Sequence, residues 1–312
     1  MDINRYKPSY GVAHTHMTKI SDYSTEELFE LLYASKVMKA KFIAKEDCRI
    51  LKGVTIAFLF CDTSLRTRSA LDIGIRQLGG ASIDLPYNEN DMNAGENIQD
   101  IVNVISHYGV GALITRGIDQ KELDSFCAVS KLPVINTFNE CGAPPQTICD
   151  LFTIWEKAKR LEGVKLAYVG KCTSNAISLI TGAVKCGLEV SVSCPEEFSI
   201  PKDALDNARQ FGKVNLYPNP AEGVKGADFV YTDNYEYHNN LSEKEKSILL
   251  PYQVNKTLLS YCAPDVKFMH ALPARRGVEV TAEIIDGNKS ITSLQAENKL
   301  HTVKAILALL SK

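Results

Sequence analysis

The sequence predicts an α/β protein built from two doubly wound parallel-sheet domains linked by helices. Three observations carry this. Short apolar runs alternate with helix-period segments along the whole chain, the pattern of parallel strands covered by helices. The same plan occurs in each half. The length of 312 residues suits about two domains of ordinary size.

In the first half VTIAFLF (54–60), ASIDL (81–85), GALIT (111–115) and PVIN (133–136) read as buried strands. LRTRSALDIGIRQLG (65–79), NIQDIVNVISHYG (97–109) and QKELDSFCAVS (120–130) read as the helices between them. PQTICDLFTIWEKAKRLEG (145–163) joins the halves. There Ile148, Leu151, Phe152, Trp155, Ala158 and Leu161 recur at helical spacing, with Pro145 suited to the first turn and Gly163 to the end. KLAYVG (165–170), EVSVSC (189–194), ADFVYTD (227–233) and KFMHAL (267–272) are the strands of the second half, and AENKLHTVKAILALL (296–310) closes the chain as an amphipathic helix. The expected domains are 1–145, completed by 295–312, and 146–294. The expected ligand site is the cleft where the carboxyl ends of both sheets meet.

Composition narrows the function. A formal net charge of -2 gives no reason to expect nucleic acid or a membrane surface as partner. No apolar run approaches the roughly 20 residues that span a bilayer, and the opening residues do not read as a secretory signal. The 9 cysteines are scattered, with no CxxC pair. They read as unpaired thiols of a cytoplasmic protein rather than a disulfide framework or a metal site.

The chemistry concentrates where strands end. Ser64-Leu65-Arg66-Thr67-Arg68 follows a strand and opens a helix. Helix N-termini favour anions, so two arginines there call for a negative partner. One reading is an N-cap serine with solvated arginines; the other is a phosphate site using backbone N–H groups, the Ser64 and Thr67 hydroxyls and an Arg66 fork. Arg116 ends a second strand at the rim of the same sheet. In HALPARRG (270–277), His270, the Leu272 backbone and Arg275 or Arg276 face a cleft, or His270 is a hydrogen-bonded core residue. GKCTSNAIS (170–178) is a strand-to-helix turn, but it is not GxGxxG and has no acidic ribose partner, which argues against a dinucleotide.

Taken together, the SxRTR segment at 64–68, Arg116-Gly117, Gln146 before a helix, YTD (231–233), YQVN (252–255), FMHALPARRGVEVT (268–281) and AENKLH (296–301) resemble the aspartate/ornithine carbamoyltransferase family. The second half is closest to the ornithine and putrescine transferases. The resemblance implies carbamoyl transfer from carbamoyl phosphate to an uncharged amine, with phosphate released and neither metal nor organic cofactor required. It also implies a homotrimer with shared active sites. Position by position, it implies that Ser64, the Leu65 backbone, Arg66 and Thr67 bind phosphate and that Arg116 bridges phosphate and carbonyl. Gln146 would hold the carbamoyl amide, and Lys299 and Asp91 would complete the donor site. Asn136, Ser178, Asp233 and the backbone of Ala271 and Leu272 would bind the acceptor. His270 joins Arg66, Arg116 and Gln146 in the catalytic set.

The departures are specific. The family's His-Pro-x-Gln reads Ala143-Pro144-Pro145-Gln146, and His-Cys-Leu-Pro reads His270-Ala271-Leu272-Pro273. Losing one oxyanion donor costs about 3–4 kcal/mol. The Ser-Met-Gly of the ornithine enzymes is replaced by NYEYHNN, a carboxylate-holding asparagine aligns with Ser178, and the last motif's arginine is Lys299. A partner-lent glutamine aligns with Asp91. The phosphate side is nearly intact; the carbonyl-activating and acceptor sides are altered. Three readings follow: a carbamoyltransferase with a non-standard amine such as an ornithine-like amino acid or diamine, a transferase of another acyl phosphate, and a non-catalytic homologue that binds phosphate ligands.

Overall fold

The structure is a computed structural model that describes residues 2–62, 64–85, 98–235 and 241–311. The chain divides into two compact units. The first comprises Lys7–Phe152 with Asn298–Lys312, the second Thr153–Glu297 with Met1–Tyr6.

In the first unit the strands are β1 (Thr55–Phe60), β2 (Ala81–Asp84), β3 (Val110–Arg116) and β4 (Val134–Asn136). They form a parallel sheet in the order β2-β1-β3-β4. The chain leaves β1 through helix Leu65–Gln77 to pair on one side, and leaves β3 through helix Gln120–Val129 to pair on the other. The order therefore reverses between β1 and β3, where Phe60 stands opposite Arg116. A sheet opens a crevice at such a point, outside the carboxyl ends of its strands. Ala57, Leu59, Leu113 and Val134 pack with Val102, Ile105, Leu123 and Phe126 from the covering helices.

The second unit repeats the device. Here β5 (Lys165–Val169), β6 (Glu189–Ser193), β7 (Val214–Leu216), β8 (Phe229–Thr232) and β9 (Lys267–His270) lie parallel in the order β7-β6-β5-β8-β9. The reversal falls between β5 and β8, where Tyr168 stands opposite Tyr231. Gly170 ends β5 at φ +112, and a Cβ there would lie 1.9 Å from the Tyr235 hydroxyl oxygen. Only glycine supplies both the backbone angle and the space.

Several elements differ from the sequence reading. ASIDL was expected as a buried strand, yet β2 is a largely exposed edge of its sheet, because among the described residues it pairs with β1 alone. Its Asp84 pairs with Arg68, whose guanidinium stacks 4.9 Å from the Phe60 ring centroid. The closing helix runs over Thr292–Leu310 and is not amphipathic in its burial, since Asn298, His301 and Thr302 are enclosed and Lys304 nearly so. Partners within the unit make this tolerable: Lys39 Nζ donates to Asn298 Oδ1 at 2.8 Å and Lys304 Nζ to Gln77 Oε1 at 3.0 Å. Helix Thr25–Ile43, which opens on a Ser24/Glu27 capping box, and the short strand β7 are additions to the predicted elements.

Replacing Gly170 by alanine must displace Tyr235 or strain the turn. Gly170→Ala is expected to lower unfolding stability by about 2–4 kcal/mol, read as a lower urea midpoint with an unchanged slope.

Candidate functional site

At the reversal point of the first unit, Ser64 caps helix Leu65–Gln77 in an extended conformation, but its side chain makes no capping bond and the first turn holds no acid. The helix thus keeps its unpaired N–H groups and positive end for another partner. Ser64 and Thr67 are buried, whereas Leu65 and Arg66 are exposed.

Two further cations close on this turn. Arg116 reaches it from the end of β3, only 5% exposed. Its guanidinium lies 4.7 Å from the Phe138 ring centroid, and its Nε is 2.5 Å from Asp62 Oδ1. Lys299 comes from the closing helix and donates from Nζ to Thr67 Oγ1 at 3.1 Å. Burial lowers the Lys299 pKa to about 8; Arg116 and Arg66 push the same way, while Cys149 and Asp150 oppose them. Two like charges ~6 Å apart repel by about 3 kcal/mol at an effective dielectric near 20. A cluster of this kind is stable when an anion is shared among its members.

Gln146 lies in the first turn of helix Pro144–Ala158. Its Nε2 donates to the buried carboxylate of Asp150 at 2.8 Å. A carboxylate only accepts, so this contact fixes the amide orientation and turns Oε1 to the other side. Asn136 is fully enclosed: its Nδ2 donates to the Thr18 carbonyl at 3.1 Å and its Oδ1 accepts from the Phe138 N–H at 3.0 Å. It braces the loop that carries Phe138 beneath Arg116. In this structure both ends of the Asn136 side chain, expected on the acceptor side, are engaged by the protein itself.

In the second unit, Asp233 follows β8. Its Oδ2 accepts from Thr173 Oγ1 at 2.8 Å and Asn175 Nδ2 at 3.2 Å, and its Oδ1 accepts from the Asn234 N–H at 2.9 Å. Asn234 Nδ2 donates to the Pro273 carbonyl at 3.0 Å, tying this turn to the loop after β9. Leu272 holds φ +57, a strained angle for a side chain with a Cβ. Among the described residues no hydrogen-bond donor reaches the carbonyls of Ala271 or Leu272. Ser178 lies buried on helix Ser174–Lys185.

His270, expected in the catalytic set, is engaged on both ring nitrogens. Its Nδ1 accepts from the Leu272 N–H at 2.8 Å, so the proton sits on Nε2, which faces Glu279 Oε1 at 3.2 Å. The side chains of both residues are fully enclosed. His270 thereby braces the 271–273 loop. Asp91 lies outside the described residues.

Comparison with known proteins bears on this arrangement. Residues 15–156 match the carbamoyl-P binding domain of aspartate/ornithine carbamoyltransferase, and residues 162–310 match its Asp/Orn binding domain. The chain belongs to the aspartate/ornithine carbamoyltransferase family. An ornithine carbamoyltransferase of Pyrococcus abyssi is 37% identical over 93% of this chain and 94% of its own length. One from Bacillus subtilis is 36% identical over 92% and 91%. The solved ornithine carbamoyltransferase of Pyrococcus furiosus superposes with a TM-score of 0.89 at 36% identity, covering 95% of this chain and 97% of that one. The Thermus thermophilus enzyme gives 0.87 at 30%, covering 96% and 100%.

For this family member, the first unit brings Ser64, Arg66, Thr67, Arg116 and Lys299 together at one turn, with Gln146 on the helix that also carries Asp150. The sequence reading missed Asp62, Asp150, Thr173, Asn175 and Glu279. Asp62 and Thr173 were findable, because each sits in the same strand-to-helix turn as a residue already singled out.

Two outcomes follow. Lys299 is charged below pH ~8 and neutral above it, so phosphate affinity falls as pH rises past 8, by at most about tenfold per unit. Calorimetry from pH 7.5 to 9.5 reads this, and Lys299→Gln should remove that slope. Asp62 repels an anion bound at Arg116, so Asp62→Asn should tighten inorganic phosphate by roughly tenfold. Weaker binding would show that the carboxylate is needed to hold Arg116 in place.

Proposed function

We propose that this protein transfers a carbamoyl group from carbamoyl phosphate to an amine of the ornithine-like or diamine class and releases phosphate. The single observation that carries the reading is the gathering of Arg66, Arg116 and Lys299 around the uncapped helix start. Such a turn suits a phosphate dianion and the charge it gains as the carbon–oxygen bond breaks. The Ser64 hydroxyl and the Leu65 backbone would bind the same phosphate. Arg116 would reach both phosphate and carbonyl, and Gln146 Oε1 would accept from the carbamoyl NH2.

On the acceptor side, the nucleophile must be a neutral amine, although free alkylamines have pKa values near 10.4. Carbonyl oxygens of Ala271 and Leu272 would hold its N–H groups and orient the lone pair. Asp233, fixed by three donors, would pair with the substrate's second, charged amino group. In the reaction the amine nitrogen bonds to the carbamoyl carbon, the bond to phosphate oxygen breaks, and the amine proton is lost. Homotrimeric assembly, with a loop lent by a neighbour, belongs to the same proposal and is read by light scattering.

Ala143 supports a rebuilt carbonyl pocket rather than a damaged one. It is 3% exposed, and its carbonyl accepts from the N–H groups of Gln146 and Thr147. An imidazole there has to push its neighbours aside. Ala143→His should therefore destabilise the fold by about 1–3 kcal/mol and leave turnover no higher. A rise in turnover would mean that the site is an ordinary family site lacking one donor.

The defining experiment incubates carbon-labelled carbamoyl phosphate with putrescine, ornithine, lysine, diaminopropionate, aspartate and acylated ornithines. Acid-stable label above the enzyme-free background is expected, and the product mass names the acceptor. No label with any amine overturns the proposal and favours another acyl phosphate or a ligand-binding homologue.

A further inference from the structure

The turn that steadies Asp233 has two cysteines at its base. Strands β5 and β6 run parallel with Val169 opposite Ser193, and the Gly170 N–H donates to the Ser193 carbonyl at 2.8 Å. The two chains leave the sheet side by side. Cys194 comes immediately after β6, and Cys172 comes in the turn after β5, where its N–H donates to the Phe198 carbonyl at 2.9 Å. Both are free thiols, Cys194 buried and Cys172 half-buried. The paired strands thus put the two cysteine-bearing turns alongside each other, and the Cys172 thiol, with burial second, raises the Cys194 thiol well above its ordinary range. Cys194 thus keeps its proton, and the more exposed Cys172 is the sulfur an oxidant meets. The thiols of Cys61, Cys127, Cys141, Cys186 and Cys262 are raised mainly by burial, with no second thiol acting on them.

The next residue makes the pair consequential. Thr173 caps helix Ser174–Lys185 by accepting from the Ala176 N–H at 3.2 Å, and its hydroxyl donates to Asp233. Asn175 adds the second side-chain bond to that carboxylate. A disulfide requires its sulfurs about 2.05 Å apart in a fixed torsion, a constraint that would act on the residue directly before Thr173.

We propose that Cys172 and Cys194 form a reversible disulfide that releases Asp233 from Thr173 and Asn175 and so weakens the acceptor side of the protein. Its effect on catalysis rests on the carbamoyltransferase reading; the bond itself does not. With hydrogen peroxide as oxidant, the Cys172 thiol loses its proton and attacks one peroxide oxygen. The O–O bond breaks, leaving a sulfenic acid and one water. The Cys194 sulfur then attacks the Cys172 sulfur, the S–O bond breaks, and a second water leaves. Two thiols are oxidised and one peroxide is reduced; a dithiol reductant reverses the change.

The test treats the full chain with one to a few equivalents of hydrogen peroxide, blocks remaining thiols, and maps peptides without reduction. A Cys172–Cys194 cross-linked peptide is expected, lost on dithiothreitol and absent from Cys172→Ser and Cys194→Ser. Hydrogen exchange over residues 173–178 needs no substrate and should speed up in the oxidised protein. With an amine acceptor in hand, oxidation should raise the acceptor KM by roughly tenfold, in line with a lost charge-assisted hydrogen bond, while phosphate affinity stays within about twofold. Cys172 over-oxidised beside an alkylatable Cys194 overturns the proposal. So does a cross-link that leaves exchange over 173–178 unchanged. Cross-linking with faster exchange but no turnover with any amine upholds the disulfide and counts against the functional reading instead.

Discussion

Like-charge repulsion is the constraint around which the first unit is organised. Arg66, Arg116 and Lys299 arrive from three separate elements, and the two arginines add to the burial that makes Lys299 harder to keep charged. The fold manages this with what it has: Asp62 against Arg116, the Phe138 ring beneath its guanidinium, and the Thr67 hydroxyl on the Lys299 ammonium. Asp150 and Cys149 also oppose the arginines at Lys299. Burial, with Arg116 and Arg66 adding to it, lowers the Lys299 pKa to about 8, and an anion placed among these cations would oppose both effects. The closing helix is shaped by the same demand. It is enclosed on nearly all sides and still carries Asn298, Lys299 and Lys304, because it must deliver a cation into the interior of the unit rather than cover an apolar face.

The second unit works by the opposite logic. Its polar side chains are fixed by partners within the unit, and the carbonyls of Ala271 and Leu272 receive no hydrogen bond among the described residues. His270 and Glu279 are sealed in and hold the 271–273 loop; Thr173, Asn175 and Asn234 fix Asp233 and tie its turn to that loop. A rigid frame of this kind lets carbonyl oxygens orient an amine without spending side-chain freedom when the ligand arrives. Both units use one topological device, a reversal of strand order, and place their polar turns outside the carboxyl ends of the strands at that reversal.

Comparing prediction with structure shows where local signals fail. All strands of both sheets except β7, and the helices after β1 and β3, were legible because apolar periodicity is a property of neighbouring residues. Helix Thr25–Ile43 was missed although its signature, Ser24 followed by Glu27, is in the sequence. Strand β7 was missed because three residues carry too little periodicity. Exposed β2 was misjudged because its apolar letters do not reveal that it lies at an edge. The intramolecular partners of His270 and Asn136 were not legible, because a polar residue at a strand end looks the same whether its partner is substrate or the protein itself.

The sequence alone determined the class of fold, the position of the anion-seeking turn at Ser64 to Thr67, and the family, since each rests on contiguous residues whose spacing is read directly. Only the tertiary structure decided that Asp62 and Phe138 are set against Arg116, that Lys299 meets Thr67, that His270 is sealed against Glu279, and which cysteine-bearing turns are neighbours. Those answers depend on pairings between segments as far apart as Thr67 and Lys299, or Cys172 and Cys194. Such pairings are set by strand order and helix burial, which no local stretch of sequence encodes.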